Sequence, residues 1–136
     1  MTAVTSPSSA TRAVVDASTA VRAFADRDVV AQRWLETEVA WPTLLYAEVA
    51  HALLRLHRHR GLPLARAREA LDAIYAIRAD ARPVAMLVPD ALNVALERSL
   101  TVYDACYVVL AEALEAPLVT ADRRLAAATA NAVLLT

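Results

Sequence analysis

Short apolar runs with no polar alternation recur along this chain, separated by longer stretches with a helical period. Ala13-Val14-Val15, Val39-Ala40-Trp41 and Leu118-Val119 are the clearest. A strand that is apolar on both faces has both faces covered, which is the condition of a parallel sheet held between helices. Nothing of the Asn-Gly kind joins two such runs as a hairpin. The pattern implies an α/β sandwich whose mainly parallel sheet is covered on both sides. In such sheets ligands bind beyond the carboxyl ends of the strands, at a topological switch point.

The first run starts at Arg12 and ends on Asp16, and Ala17-Ser18-Thr19 can begin a helix, so Asp16 belongs at a strand's C-terminal end. Ser18 to Phe24 and Asp28 to Leu35 read as short helices, the second capped by Asp28. Val39 to Trp41 is a strand that Pro42 stops. Thr43 to Arg60 is the longest helix, with Leu45, Val49, Ala52, Leu53 and Leu56 on one face and Gly61-Leu62-Pro63 as its stop. At about 100° per residue Glu48 falls at the edge of that face and borders the core. Pro63 to Arg78 is another helix, Arg82 to Val88 a strand, and Pro89 to Ser99 a helix with Pro89 near its start.

Thr101-Val102-Tyr103-Asp104 has the form of a capping box, and Val102, Cys106, Val109 and Ala113 follow at helical spacing. Leu118-Val119 is then a buried strand. Thr120-Ala121-Asp122 ends it and opens a helix continued by Leu125 to Ala130, and Ala132 to Leu135 is a last short strand. Residues 1–11 carry no basic residue and no continuous apolar block, so they read as a flexible tail ahead of one domain spanning 12–136.

Composition excludes several functions. With one Gly in 136 residues there is no glycine-rich dinucleotide turn, no phosphate loop and no nucleophile elbow. A receiver domain would also offer acids at strand ends, but its chemistry looks to a Lys and this chain has none. Glu48, Arg55 and Glu112 interrupt the best candidates for a membrane span. The single Cys106 cannot form an internal disulfide, which fits a cytoplasmic location. A net charge of −1 argues against a broad basic surface, although all 14 basic residues are Arg, the side chain that grips phosphate in a bidentate way. Glu48-Val-Ala-His51 is half of a di-iron motif without its second half. His57-Arg58-His59-Arg60 reads as a solvated basic helix end, with an RNA-contacting edge as its functional alternative.

Asp16, Asp104 and Asp122 occupy comparable ends of separate apolar elements, and Glu48 joins them from the core's border. Singly, each has a bland role as cap, turn residue or ion-pair partner. Carboxylates brought together at about 4 Å repel by roughly 4 kcal/mol per pair at an effective dielectric of 20, and a metal ion reverses that sign. A cluster of oxygen donors suits Mg²⁺ or Mn²⁺ rather than Zn²⁺.

The series Val-Val-Asp16-Ala-Ser18, Leu-Tyr-Ala-Glu48-Val-Ala-His, Leu-Thr-Val-Tyr-Asp104-Ala and Leu-Val-Thr120-Ala-Asp122-Arg-Arg-Leu resembles PIN-domain ribonucleases of the VapC toxin type. The resemblance implies a three-layer α/β/α PIN-like fold over residues 12–136 and an endoribonuclease of a toxin–antitoxin pair. It implies that Asp16, Glu48, Asp104 and Asp122 are the catalytic and metal-holding acids, with Mg²⁺ or Mn²⁺ as cofactor and Ser18 and Thr120 in support. RNA as substrate, a VapB-type antitoxin and a homodimer are the implied partners. The competing expectation is a noncatalytic α/β protein-binding module whose acids are helix caps and surface pairs, with Leu54, Ala47 and Ala50 offering an apolar surface.

Overall fold

Val14 and Val15 are wholly buried, and the strand that carries them, β1 (Arg12–Val15), lies at the centre of the sheet. The computed structural model describes residues 12–136, so the tail expected at residues 1–11 lies outside the described residues. β1 is followed by α1 (Ala17–Phe24), α2 (Val29–Leu35), β2 (Glu38–Pro42), α3 (Leu44–Arg60) and α4 (Leu64–Ala76). The chain continues through β3 (Asp80–Arg82), α5 (Val84–Arg98), α6 (Val102–Ala113), β4 (Leu118–Thr120), α7 (Arg123–Ala127) and β5 (Ala132–Leu134). The strands form one parallel sheet in the order β3-β2-β1-β4-β5. Strand order reverses between β1 and β4, which places the switch point directly beyond Val15 and Thr120.

The helices divide into two packing groups. One joins α1 to α2, α3 and α4, and the other pairs α5 with α6, which also lies against β1, β2 and β4. This is the expected three-layer α/β/α arrangement. Buried Trp41, Tyr107, Leu45, Leu110 and Leu118 fill the space between sheet and helices. Tyr46 on α3 stacks on Tyr75 of α4 with centroids 4.6 Å apart, a contact worth about 0.5–1.5 kcal/mol beyond its burial. Gly61 ends α3 at φ 73°, and the amide of Leu62 closes back on the Leu56 carbonyl at 3.2 Å. Only Gly takes that left-handed turn without steric cost.

One expected strand is corrected. Arg82 to Val88 is not extended: the strand is Asp80–Arg82, and α5 already begins at Val84 behind Pro83. Val84-Ala-Met-Leu-Val88 is apolar throughout, and a short run of that kind has no period to separate strand from buried helix. Pro89 therefore lies inside the helix and not at its start. Its missing N–H leaves the carbonyl of exposed Ala85 without the usual helical partner.

Candidate active site

Asp16 leaves β1 and becomes the N-cap of α1, accepting a hydrogen bond from the Thr19 amide at 3.0 Å. The same Oδ1 accepts the Ser18 hydroxyl at 2.7 Å, and Oδ2 accepts the Thr120 hydroxyl from the end of β4 at 2.5 Å. Ser18 Oγ in turn accepts the Ala121 amide at 2.9 Å, and Thr120 Oγ1 accepts the Asp122 amide at 3.0 Å. Two hydroxyls thus tie the ends of β1 and β4 together around one carboxylate. Asp16 is only 6% exposed, and burial pushes its carboxyl above the usual range despite the hydrogen bonds from Thr120, Ser18 and Thr19 that favour the ion.

Asp122 caps α7, its Oδ1 accepting the amides of Arg124 at 2.9 Å and Leu125 at 3.3 Å. Asp104 stands in the first turn of α6, where Thr101 Oγ1 accepts its amide at 3.0 Å. Its carboxyl is raised by burial and then by the charge of Asp122, against the opposing pull of Thr101 and Arg124. Arg124 approaches Asp104 Oδ2 at 3.8 Å. Glu48, half-buried on α3, accepts the Tyr107 hydroxyl at 2.5 Å. Burial raises its carboxyl, the Tyr107 bond lowers it, and the charges of Asp104 and Asp16 raise it further.

The four acids expected from the sequence therefore act on one another at one end of the sheet. Asp16 and Asp104 reach Glu48, and Asp122 reaches Asp104. Among the described residues, no three His, Cys, Asp or Glu side chains are placed to close around a single ion. Even so, Glu48 Oε2, Asp104 Oδ1 and Asp122 Oδ2 accept no hydrogen bond among the described residues. They are hard oxygen donors whose mutual repulsion a divalent cation would relieve, so the donor set fits such an ion.

Two contributors were absent from the sequence reading. Thr19, fully buried, donates its hydroxyl to the Val119 carbonyl at 2.8 Å and pins the start of α1 to β4. Tyr107 anchors Glu48, and burial together with the Glu48 charge raises the phenol far above its ordinary value. A signal existed for each: Thr19 lies three residues after Asp16, and Tyr107 lies one helical turn after Asp104 on the same face. Glu48 pairs with neither Arg55 nor Arg22; the latter approaches Asp28 at 3.8 Å instead.

Beside the acids lies a cleft of about 960 Å³ between α1 and α3, bordered at the acidic end by Ser18, Glu48, Tyr103 and Ala121. The chain matches the PIN domain family model over residues 13–131 and belongs to that family. Ribonuclease VapC1 of Mycobacterium tuberculosis is 42% identical over 87 residues, a stretch covering 64% of this chain and 65% of that protein. The match therefore spans less than two thirds of the curated relative. The crystal structure of PAE2754 from Pyrobaculum aerophilum superposes with a TM-score of 0.74 at 31% identity, covering 91% of this chain and 90% of that one. A toxin–antitoxin complex from Klebsiella pneumoniae shares the fold, with a TM-score of 0.63 at 18% identity over 89% of this chain and 95% of that chain.

Proposed function

We propose that residues 12–136 form a divalent-metal-dependent endoribonuclease, the toxin of a VapB–VapC-type pair. The observation that carries this reading is that Asp16, Glu48, Asp104 and Asp122 interact at the switch point of a PIN-family sheet. Capping accounts for Asp16 and Asp122 but not for Glu48 and Asp104, whose partial burial raises the cost of their charge. A binding module would have no use for that cost.

The four acids would hold Mg²⁺ or Mn²⁺, and such an ion would supply charge to neutralise the phosphate, acidify water and steady the leaving oxygen. The Ser18 and Thr120 hydroxyls hold Asp16 in place and favour its ionised form against the pull of burial. Tyr107 aims Glu48, and one of the acids would take up the proton of the attacking water. The phosphodiester bond then breaks by in-line displacement.

The VapC1 relative supports RNA as substrate and, with the Klebsiella complex, an antitoxin as partner. Exposed Met86, Leu92 and Leu96 on α5 support a homodimer. No described helix is long and apolar enough to cross a membrane, and the buried free Cys106 is in keeping with a cytoplasmic site of action. Incubating the partner-free protein with total RNA, with and without Mg²⁺, tests the reading. Metal-dependent cuts that vanish in Asp104→Asn are expected; cleavage that persists in excess EDTA would sink it.

A further inference from the structure

Arg124 is a cation standing among the acids, and its two ends meet different ones. Its amide donates to Asp122 Oδ1 at 2.9 Å at the start of α7, while its guanidinium approaches Asp104 Oδ2 at 3.8 Å. At that distance the pair has Coulomb attraction and no hydrogen bond. Arg82 and Arg98 hold their carboxylates at 2.8 Å instead. The Arg124 side chain is 68% exposed against 24% for Asp104, so the guanidinium leans on the acid from the solvent side. Among the described residues it donates no hydrogen bond.

Stability does not account for this placement, because an exposed and loosely held ion pair contributes little to folding. What it leaves is a planar fork of N–H donors beside the acids, with its root fixed on α7 and its tip nearly unbound. The Arg124 charge also opposes the rise of the Asp104 carboxyl, so it does in part what a divalent ion would do there. Two cations on one carboxylate repel each other, and an ion held by Asp104 therefore loosens the guanidinium. A phosphodiester brought to the acids is then the free anion beside it, and Arg grips phosphate in a bidentate way.

We infer that Arg124 exchanges partners: it neutralises Asp104 in the metal-free chain, yields that acid to the divalent ion, and then donates to a non-bridging oxygen of the scissile phosphate. This rests on the ribonuclease reading and adds to it a catalytic residue outside the four acids. In the step itself the water oxygen bonds to phosphorus as the bond to the leaving oxygen breaks. The water's proton passes to one of the acids, the leaving oxygen takes a proton from solvent, and Arg124 stays protonated throughout. Its contribution is positive charge placed where the transition state gathers negative charge.

Removing the guanidinium should therefore move two measurements in opposite directions. In Arg124→Gln, Mn²⁺ binding to the full chain without RNA, followed by electron paramagnetic resonance, is expected to tighten about threefold because a competing charge is gone. On a fluorescent RNA carrying a site mapped in total RNA, kcat in saturating Mn²⁺ is expected to fall about a hundredfold while KM changes far less. Arg124→Lys keeps the charge and loses the fork, so Mn²⁺ affinity should stay at the wild-type value while kcat recovers only in part. Arg123→Gln removes the same charge one residue earlier and should leave both measurements near wild type. Metal-free melting close to that of the wild type shows that the variants fold.

Mn²⁺ affinity and kcat falling together in Arg124→Gln would make the residue a support for the acids and overturn the exchange. A tighter Mn²⁺ site with unchanged cleavage, which leaves a counter-ion alone, overturns it too. So does lost cleavage with unchanged Mn²⁺ affinity, which leaves a phosphate contact alone. Equal effects in Arg123→Gln assign both changes to the general field and also overturn it. In each of these cases the wild type still cuts and the ribonuclease reading stands; a wild type that cuts no RNA in Mn²⁺ overturns both.

Discussion

Asp104 carries opposing demands, because the charge that suits it to metal is also a charge the fold resists. Its carboxyl is raised in the folded chain, so the fold holds the proton more tightly than the unfolded chain does, and ionisation subtracts stability as pH rises through the raised value. Without metal, Asp104→Asn is therefore expected to be more stable than the wild type by about 1 kcal/mol at neutral pH. The difference should shrink as the pH falls toward the ordinary carboxylate range near 4, which urea titrations at several pH values would measure. Asp80 shows the contrary sign: Arg82 holds its carboxyl low, so its contribution is present above the ordinary value and is lost on acidification. Its pair with Arg82 at 2.8 Å is exposed and screened, so Asp80→Asn should cost under about 1 kcal/mol. Thr120→Val keeps the shape of a wholly buried side chain but removes the donor to Asp16 and the acceptor of the Asp122 amide. A loss of about 1–3 kcal/mol is expected in equilibrium unfolding. Asp16, Asp104 and Asp122 were legible in the sequence as acids at the ends of apolar elements, and Glu48 as an acid bordering a helix's apolar face. Thr19 and Tyr107 were not, since each looks like an ordinary helix residue until a partner 100 or 59 positions away is in place.

At the scale of elements, the sequence was readable wherever a stop signal coincided with a change of period. Gly61 after the Leu45–Val49–Leu53 stripe marked the end of α3, and Thr101 marked the start of α6. Where apolar residues ran without a break, from Val84 to Val88, pattern alone had nothing to separate, and the strand was drawn past its true end at Arg82. Pro89 is the residue that misled, and its position in α5 has a measurable cost. Pro89→Ala restores a donor for the Ala85 carbonyl, and a gain of about 1–3 kcal/mol is expected by chemical denaturation. Gly61→Ala should move the other way by about 1 kcal/mol. Nothing lies within 4 Å of the added Cβ, so the loss is one of backbone conformation and not of packing.

The whole molecule brings together acids whose mutual repulsion a divalent cation would relieve. Mn²⁺ is therefore expected to raise the melting temperature of the wild type, with about 2.7 kcal/mol of added stability at a hundredfold excess over the dissociation constant. Asp104→Asn should lose most of that shift, and a wild type whose melting is indifferent to millimolar Mn²⁺ would favour the binding-module alternative. The exposed apolar face of α5 sets a second expectation at this scale. Leu92→Glu with Leu96→Glu should shift the sedimentation coefficient to that of a monomer while leaving the helix content unchanged.

The Thr120 hydroxyl that closes on Asp16 joins residues 104 positions apart. Until β4 docks beside β1, Asp16 has no Thr120, Ser18 has no Ala121 amide, and the sheet has no switch point. A nascent chain that has exposed Asp16, Glu48 and Asp104 but not Thr120 has not yet assembled the cluster. The acid cluster and the sheet that frames it therefore close together, in the step that brings the segment carrying Thr120 beside β1.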